Sequence, residues 1–181
     1  MQLYTRKGDD GTTGLLYGGR ARKDAPAIEA CGAVDEAQAA MGAARAEVAR
    51  GSEVDRLLVG AEHDLWVLMA ELATAPDNRH KLEAGKTMVD AGMVSHLESV
   101  VDGLGERFPM PTEFVIPGQD RVSALLDVAR TVARRAERAA LAVAPPDSFV
   151  VPYLNRLSTL LWAMARWQEH GDSLPSRSVT A

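Results

Sequence analysis

Gln119-Asp120-Arg121-Val122-Ser123-Ala124-Leu125-Leu126-Asp127-Val128-Ala129-Arg130-Thr131-Val132-Ala133-Arg134-Arg135-Ala136-Glu137-Arg138-Ala139-Ala140-Leu141-Ala142-Val143 contains neither glycine nor proline. Its apolar positions Val122, Leu125, Ala129, Val132, Ala136 and Ala140 recur at steps of three and four, which sets them on one face of an α-helix. Arg130, Arg134 and Arg138 recur at steps of four and fall on nearly the opposite side, with Glu137 flanking them. Pro145-Pro146 cannot continue the helix.

The same period extends outward in both directions. Downstream, a helix starting near Pro152 carries Leu154, Leu157, Leu161 and Met164 on one side. Upstream, Val89, Met93, Leu97, Val100, Val101 and Leu104 form a third helix, stopped by Phe108-Pro109-Met110-Pro111-Thr112. Leu58, Ala61, Leu65, Leu68 and Leu72 form a second, capped by Ser52 and ending before Pro76, with residues 76–86 read as loop. Ile28, Cys31, Val34, Met41 and Val48 mark a first helix from about 27 to 49, with Pro26 suited to its first turn. Only Glu113-Phe114-Val115-Ile116 reads as a strand. The expected fold is all-α, a five-helix antiparallel bundle. The expected organisation is one domain over 1–181, with an N-terminal segment at 1–26, the bundle at 27–170 and a tail at 171–181.

Composition narrows the classes. A chain of 181 residues with 46% hydrophobic and 25% charged residues can bury a core without staples. A net charge of −5 argues against a general nucleic-acid binder. One cysteine, Cys31, excludes an internal disulfide framework and a cysteine-based zinc site. No apolar run approaches the ~18 residues of a membrane span, and the start Met1-Gln2-Leu3-Tyr4-Thr5-Arg6-Lys7 lacks a secretory apolar stretch. The expectation is a cytoplasmic protein without a membrane or nucleic-acid partner.

Four features carry possible chemistry. Gly8-Asp9-Asp10-Gly11-Thr12-Thr13-Gly14-Leu15-Leu16-Tyr17-Gly18-Gly19 is too rich in glycine for a helix. Its amides and hydroxyls could cradle phosphates, or the segment could be a loose N-terminal arm. Arg20-Ala21 stands where a Walker loop needs Lys-Ser/Thr, so it is not one. The arginine stripe is either a solvated face with an internal ion pair or a polyanion site. Guanidinium forks suit phosphate oxygens, and a carboxylate among them suits a bridging magnesium. Pro152-Tyr153-Leu154-Asn155-Arg156-Leu157-Ser158 turns Asn155 and Arg156 away from the apolar face, as surface decoration or as ligands. Asp35 is either solvated or paired with one of the arginines across a helix or subunit contact. No Glu-x-x-His occurs for a di-iron bundle, and His63, His80, His96 and His170 have no ligand spacing. Cys31 reads as inert packing, and Trp66, Trp162 and Trp167 read as packing residues on helices.

Taken together, these stretches resemble the PduO-type ATP:cob(I)alamin adenosyltransferases. Thr5-Arg6-Lys7-Gly8-Asp9-Asp10-Gly11-Thr12-Thr13-Gly14 is similar to that family's N-terminal signature, and so is Val34-Asp35-Glu36. Phe114-Val115-Ile116-Pro117-Gly118, Ala129 to Arg138 and Tyr153-Leu154-Asn155-Arg156-Leu157-Ser158 resemble its later motifs, in order, from residue 4 to about 167.

The resemblance implies a homotrimer with active sites between subunits. These would transfer the 5′-deoxyadenosyl group of ATP to the cobalt of cob(I)alamin and release triphosphate. It implies that Thr5, Arg6, Lys7, Gly8, Gly11, Thr12, Thr13, Gly14 and Lys23 lie on the nucleotide. Arg134 and Arg138 would grip the triphosphate, Glu137 would hold magnesium, and Asn155 would contact the nucleotide. Phe114 would crowd the lower face of the corrinoid and displace its lower ligand. Asp35 would pair with Arg130 across the interface and support Phe114. A reductase supplying Co(I) and an adenosylcobalamin-dependent enzyme are the further partners implied. A carrier that delivers adenosylcobalamin is the alternative. The chain departs from the family's pattern at Cys31, at Gln119-Asp120-Arg121 and at Asp127, where histidine is common. These changes bear on the corrinoid side, and Asp127 is expected near the corrinoid surface.

Overall fold

A computed structural model describes residues 4–177. Residues 1–3 of the expected N-terminal segment and 178–181 of the expected tail lie outside the described residues. The fold is mostly helical. The α-helices are α1 (Pro26–Arg45), α2 (Glu53–Leu72), α3 (Ala91–Gly105), α4 (Arg121–Ala140) and α5 (Val150–Gln168). Four short strands accompany them: β1 (Thr12–Gly14), β2 (Arg20–Arg22), β3 (Val115–Ile116) and β4 (Leu174–Pro175).

Local chemistry sets the helix starts. Pro26 opens α1, where its missing N–H costs nothing. The Ser52 hydroxyl accepts from Asp55 N at 3.2 Å and caps α2. Asp90 caps α3 by accepting from Met93 N at 2.9 Å. Asp120 caps α4, accepting from Val122 N at 2.8 Å and Ser123 N at 3.0 Å, with Ser123 completing a reciprocal box.

Several sequence-based boundaries move. The first helix stops at Arg45 rather than near 49, because the backbone turns through Ala46–Val48 toward Gly51 at φ 75°. The third begins after Val89, which is buried but precedes its Asp90 cap. The fourth spans Arg121–Ala140 rather than 119–143, and the fifth starts at Val150, before Pro152. Part of the expected 76–86 loop is a 3-10 turn, Pro76–Lys81.

α4 packs against both α1 and α5, while α2 lies against α1 and α3 against α5. Alanines dominate the α1–α4 contact: Ala30, Ala37 and Ala44 on α1 and Ala129, Ala133, Ala136 and Ala140 on α4 are buried. Such small side chains let two helix axes approach closely. Larger side chains fill the rest, including Leu58, Leu65 and Leu68 of α2 and Leu154, Leu157 and Leu161 of α5. Glu71 is buried at the end of α2 and joins three connecting segments. It accepts from Arg79 Nη2 at 2.8 Å, Val89 N at 2.8 Å and the Ser148 hydroxyl at 2.7 Å. Trp66 departs from its expected packing role: it is 67% exposed on α2. No helix among the described residues is long and apolar enough to cross a membrane.

Candidate functional site

The glycine-rich segment is a β-hairpin, not a featureless loop. β1 and β2 pair antiparallel with Thr12 opposite Arg22, Thr13 opposite Ala21 and Gly14 opposite Arg20. The reversal through Tyr17, Gly18 and Gly19 uses left-handed backbone at φ 61°, 99° and 92°, a conformation glycine adopts without strain. Arg20 binds the hairpin together. Its Nε donates to Thr12 Oγ1 at 2.8 Å, and its Nη2 donates to the carbonyl of Lys7 at 2.5 Å. The Thr12 hydroxyl and amide also donate to Asp10, which holds its carboxyl below the usual range. A Cβ on Gly8 would come within 3.1 Å of Lys23 Nζ, so Gly8 and Lys23 are neighbours.

The hairpin is fastened to the bundle. Leu16 N donates to the Ala73 carbonyl at 2.9 Å just beyond α2, and Asn78 Nδ2 reaches the Tyr17 and Gly18 carbonyls at 3.4 Å. Arg20 and these anchors were missed in the sequence, although paired threonines before a Gly-Gly dipeptide are a hairpin signal.

On α4 the arginines separate into two environments. Arg134 and Arg138 are exposed and have no hydrogen-bond or ion-pair partner among the described residues. Glu137 between them is half-buried, and its Oε1 accepts from Asn155 Nδ2 of α5 at 3.0 Å. Asn155 in turn accepts from Arg156 Nη1 at 2.7 Å, while Arg156 Nε pairs with Glu98 of α3. Glu137 and Asn155, eighteen residues apart, are therefore one polar unit beside two unpaired guanidiniums. No hydrogen bond or ion pair among the described residues joins the hairpin to this row within one chain.

Arg130 is different. Its Nε donates to Asp127 Oδ1 at 2.8 Å. Asp127 is buried, not open on the surface, and its other oxygen accepts from Arg166 Nη2 at 2.7 Å. Arg166 is 2% exposed and also donates to Glu169, which accepts from the Ser173 hydroxyl. Burying a guanidinium is tolerable here because two carboxylates neutralise it. The sequence hinted at this only through the Arg166-x-x-Glu169 spacing.

This network flanks a cavity of about 600 Å³ whose lining includes Phe114, Asp127, Arg130, Trp162, Arg166 and Arg177. Phe114 is 89% exposed, although large aromatic side chains usually bury. The strand expected at 113–116 shrinks to β3, paired antiparallel with β4 so that Val115 faces Pro175. That pairing brings residues 174–177 beside Phe114. Asp35 lies exposed on α1 without a partner in this chain among the described residues, so the structure does not join it to Arg130. Of the departures, Asp120 is the α4 cap and Arg121 pairs with Glu47 at 3.0 Å. Cys31 is half-buried and donates to the Met69 carbonyl, and burial pushes its thiol up to about 11, too high for a reactive thiolate.

Comparisons with known proteins place this geometry. The profile of the family described as cobalamin adenosyltransferase matches residues 3–168. A corrinoid adenosyltransferase of Mycobacterium tuberculosis is 38% identical, with 97% of each chain covered. The corrinoid adenosyltransferase PduO of Citrobacter freundii is 34% identical over 94% of this chain, which spans only 50% of that relative's length. A solved structure of a variant PduO-type ATP:corrinoid adenosyltransferase from Lactobacillus reuteri, complexed with cobalamin and ATP, matches with a TM-score of 0.85 at 26% identity. That match covers 99% of this chain and 98% of the other. The profile match over residues 3–168, together with relatives and a solved structure matched nearly end to end, shows that the chain belongs to the cobalamin adenosyltransferase family, of the PduO type.

Proposed function

We propose that this protein is a cytoplasmic transferase that moves the 5′-deoxyadenosyl group of ATP to the cobalt of cob(I)alamin. The observation that carries the reading is the division of α4. Two arginines, unpaired among the described residues, stand beside the Glu137–Asn155 unit and suit a polyphosphate, and a few residues away Arg130 borders the cavity at Phe114. Co(I) attacks the ribose C5′ with its electron pair. The cobalt–carbon bond forms, the C5′–O bond breaks, and triphosphate leaves with that bond's electrons. Arg134 and Arg138 offset the charge that develops on the leaving group, a kind of stabilisation typically worth ~3 kcal/mol per preorganised donor. No protein base is needed, because the nucleophile is the metal of the substrate.

Residues 1–26 serve as the nucleotide segment of a single domain, with Thr5, Arg6, Lys7, Gly8, Gly11, Thr12, Thr13, Gly14 and Lys23 against ATP. Magnesium fits the donor set in one way. Among the described residues no three His, Cys, Asp or Glu side chains cluster as a metal cage. Glu137 would hold the metal through its carboxylate, since nucleotide-borne magnesium is usually bound by one or two carboxylates together with the phosphates. When bound, magnesium would neutralise phosphate charge. The protein works as a homotrimer in which Asp35 of a neighbouring copy meets Arg130. Asp127 takes Arg130 Nε, which leaves the terminal nitrogens for that contact.

The test is an anaerobic reaction of the protein with ATP, magnesium and chemically reduced cobalamin, followed by absorbance. Loss of the Co(I) spectrum with an ATP-dependent adenosyl–cobalt product over many turnovers is the expected result. Binding of ATP without product would overturn the transferase reading.

A further inference from the structure

The hairpin carries more hydrogen bonds than its strand pairing requires, and several of them pass through one side chain. Arg20 stands at the start of β2 and reaches back across β1. Its Nε donates to Thr12 Oγ1 at 2.8 Å, and its Nη2 donates to the same oxygen and to the Lys7 carbonyl, both at 2.5 Å. Asp10 holds the Thr12 hydroxyl from the other side. Its Oδ1 accepts from Thr12 Oγ1 at 2.8 Å and from Thr12 N at 2.9 Å. A hydroxyl has one proton and two lone pairs. The Thr12 proton goes to Asp10 and the lone pairs take the two Arg20 donors, so this hydroxyl has no capacity left for a ligand. The Thr12 amide is spent on Asp10 as well.

Thr13 is the contrast. Successive side chains of a strand point to opposite faces, and the Thr13 hydroxyl has no hydrogen-bond partner among the described residues. The ammonium groups of Lys7 and Lys23 likewise have none among the described residues, and Lys23 is placed by its amide, which donates to the Gly11 carbonyl at 2.9 Å. Arg20 therefore pins both ends of the turn from Lys7 to Thr12. The glycines inside that turn, Gly8 and Gly11, leave the chain free to wander without such a pin, and Gly11 takes left-handed backbone at φ 78°.

Resting on the proposed function, we infer that Arg20 is the positioning residue of the nucleotide segment, acting through the Thr12 hydroxyl and the Lys7 carbonyl rather than on the phosphates. It holds the turn so that the free donors of Thr13, Lys7 and Lys23 stand as one fixed array toward the polyphosphate. The two adjacent threonines then have different tasks. Thr12 is the link that Arg20 grips, and Thr13 presents the hydroxyl that the ligand meets. An array fixed in advance binds more tightly because less freedom is lost on binding.

The experiment reads ATP binding by calorimetry and amide hydrogen exchange of the ligand-free protein. It compares the wild type with Arg20→Ala, Thr12→Val, Thr12→Ser and the combination of Arg20→Ala with Thr12→Val. Arg20→Ala and Thr12→Val should each weaken ATP binding by roughly tenfold. Each should also speed exchange in residues 8–14 of the ligand-free protein and leave exchange in α1 and α2 unchanged. The combination should bind ATP within about twofold of Arg20→Ala alone, because the two side chains act through one link. Thr12→Ser keeps the hydroxyl and should restore both affinity and protection. Weaker ATP binding in Arg20→Ala without faster exchange, or losses that add in the combination, would mean direct contact with the phosphates and would overturn the positioning role. Faster exchange throughout the helices would overturn it in favour of a general loss of stability. Wild-type binding of ATP that Arg20→Ala leaves unchanged would overturn the role of Arg20 alone, whereas a wild type that binds no ATP would overturn the proposed function and this role with it.

Discussion

Asp35 and Arg130 show what one residue can and cannot disclose. The motif singles out Asp35, and its exposure on α1 without a partner among the described residues fits the proposed role toward another copy. Asp35→Asn should lower corrinoid adenosylation at least tenfold (more than ~1.4 kcal/mol of barrier) while leaving ATP affinity within twofold. Titrating ATP and measuring turnover on the same sample checks both, and equal losses would remove the assignment. Arg134→Lys should instead weaken ATP binding, because a point charge cannot replace a planar fork on phosphate. Calorimetry reads this directly, and wild-type affinity would count against the phosphate role. The exposed positions of Arg134, Arg138 and Asp35 were legible because spacing along a helix is local. Asp127, Arg166 and Arg177 were not, because their significance comes from contacts across α4, α5 and the segment beyond it. Asp127 in particular is buried against Arg166, and an isolated aspartate in a helical period does not announce a buried arginine 39 residues away.

At the scale of elements, the helical period located each of the five α-helices, since their apolar faces repeat regularly. It misjudged their ends, which caps decide, and it missed the hairpin, whose strands of three residues are too short for alternation to register. The start of α4 shows the value of a cap. Asp120 was noted only as a departure near the corrinoid side, yet it satisfies two free amides of the helix that carries the arginine row. Asp120→Ala should cost about 1 kcal/mol of stability without a change in ATP affinity, as chemical denaturation and nucleotide titration together will show. α2 begins with a second polar lock. Asp55 accepts from Gly51 N at 2.7 Å and from Arg45 Nε at 2.8 Å, and the Gly51 amide first, then the Arg45 guanidinium, hold its carboxyl below the ordinary value of 3.8. A lowered folded-state value gives stability that is present above the unfolded value and is lost as pH falls through the folded one. Asp55→Asn should therefore be less stable than wild type at neutral pH, and the gap in Tm should close as pH drops below about 4. A gap independent of pH would assign the loss to packing instead.

For the whole molecule, the buried carboxylate of Glu71 holds the connections together as the apolar faces hold the helices. It fixes the 3-10 turn, the approach to α3 and the approach to α5 through Arg79, Val89 and Ser148. Glu71→Gln keeps the shape but weakens those bonds and should cost about 1–3 kcal/mol. Tm should then fall by about 2–4 °C per kcal/mol in a chain of this size, which calorimetry will read. The connections were the least legible part of the sequence, because residues 76–86 have no period and part of their order comes from distant groups, Glu71 on Arg79 and the hairpin carbonyls on Asn78. Glu71 sits two residues before the carbonyl of Ala73 that receives Leu16 N, so the knot and the hairpin are mechanically continuous. The glycine-rich hairpin is thus a lever with a fixed fulcrum rather than a swinging arm. On the proposed function, a nucleotide settling against it has little chain motion to arrest, so its binding should show the small heat-capacity change of a rigid dock rather than the large one of coupled folding.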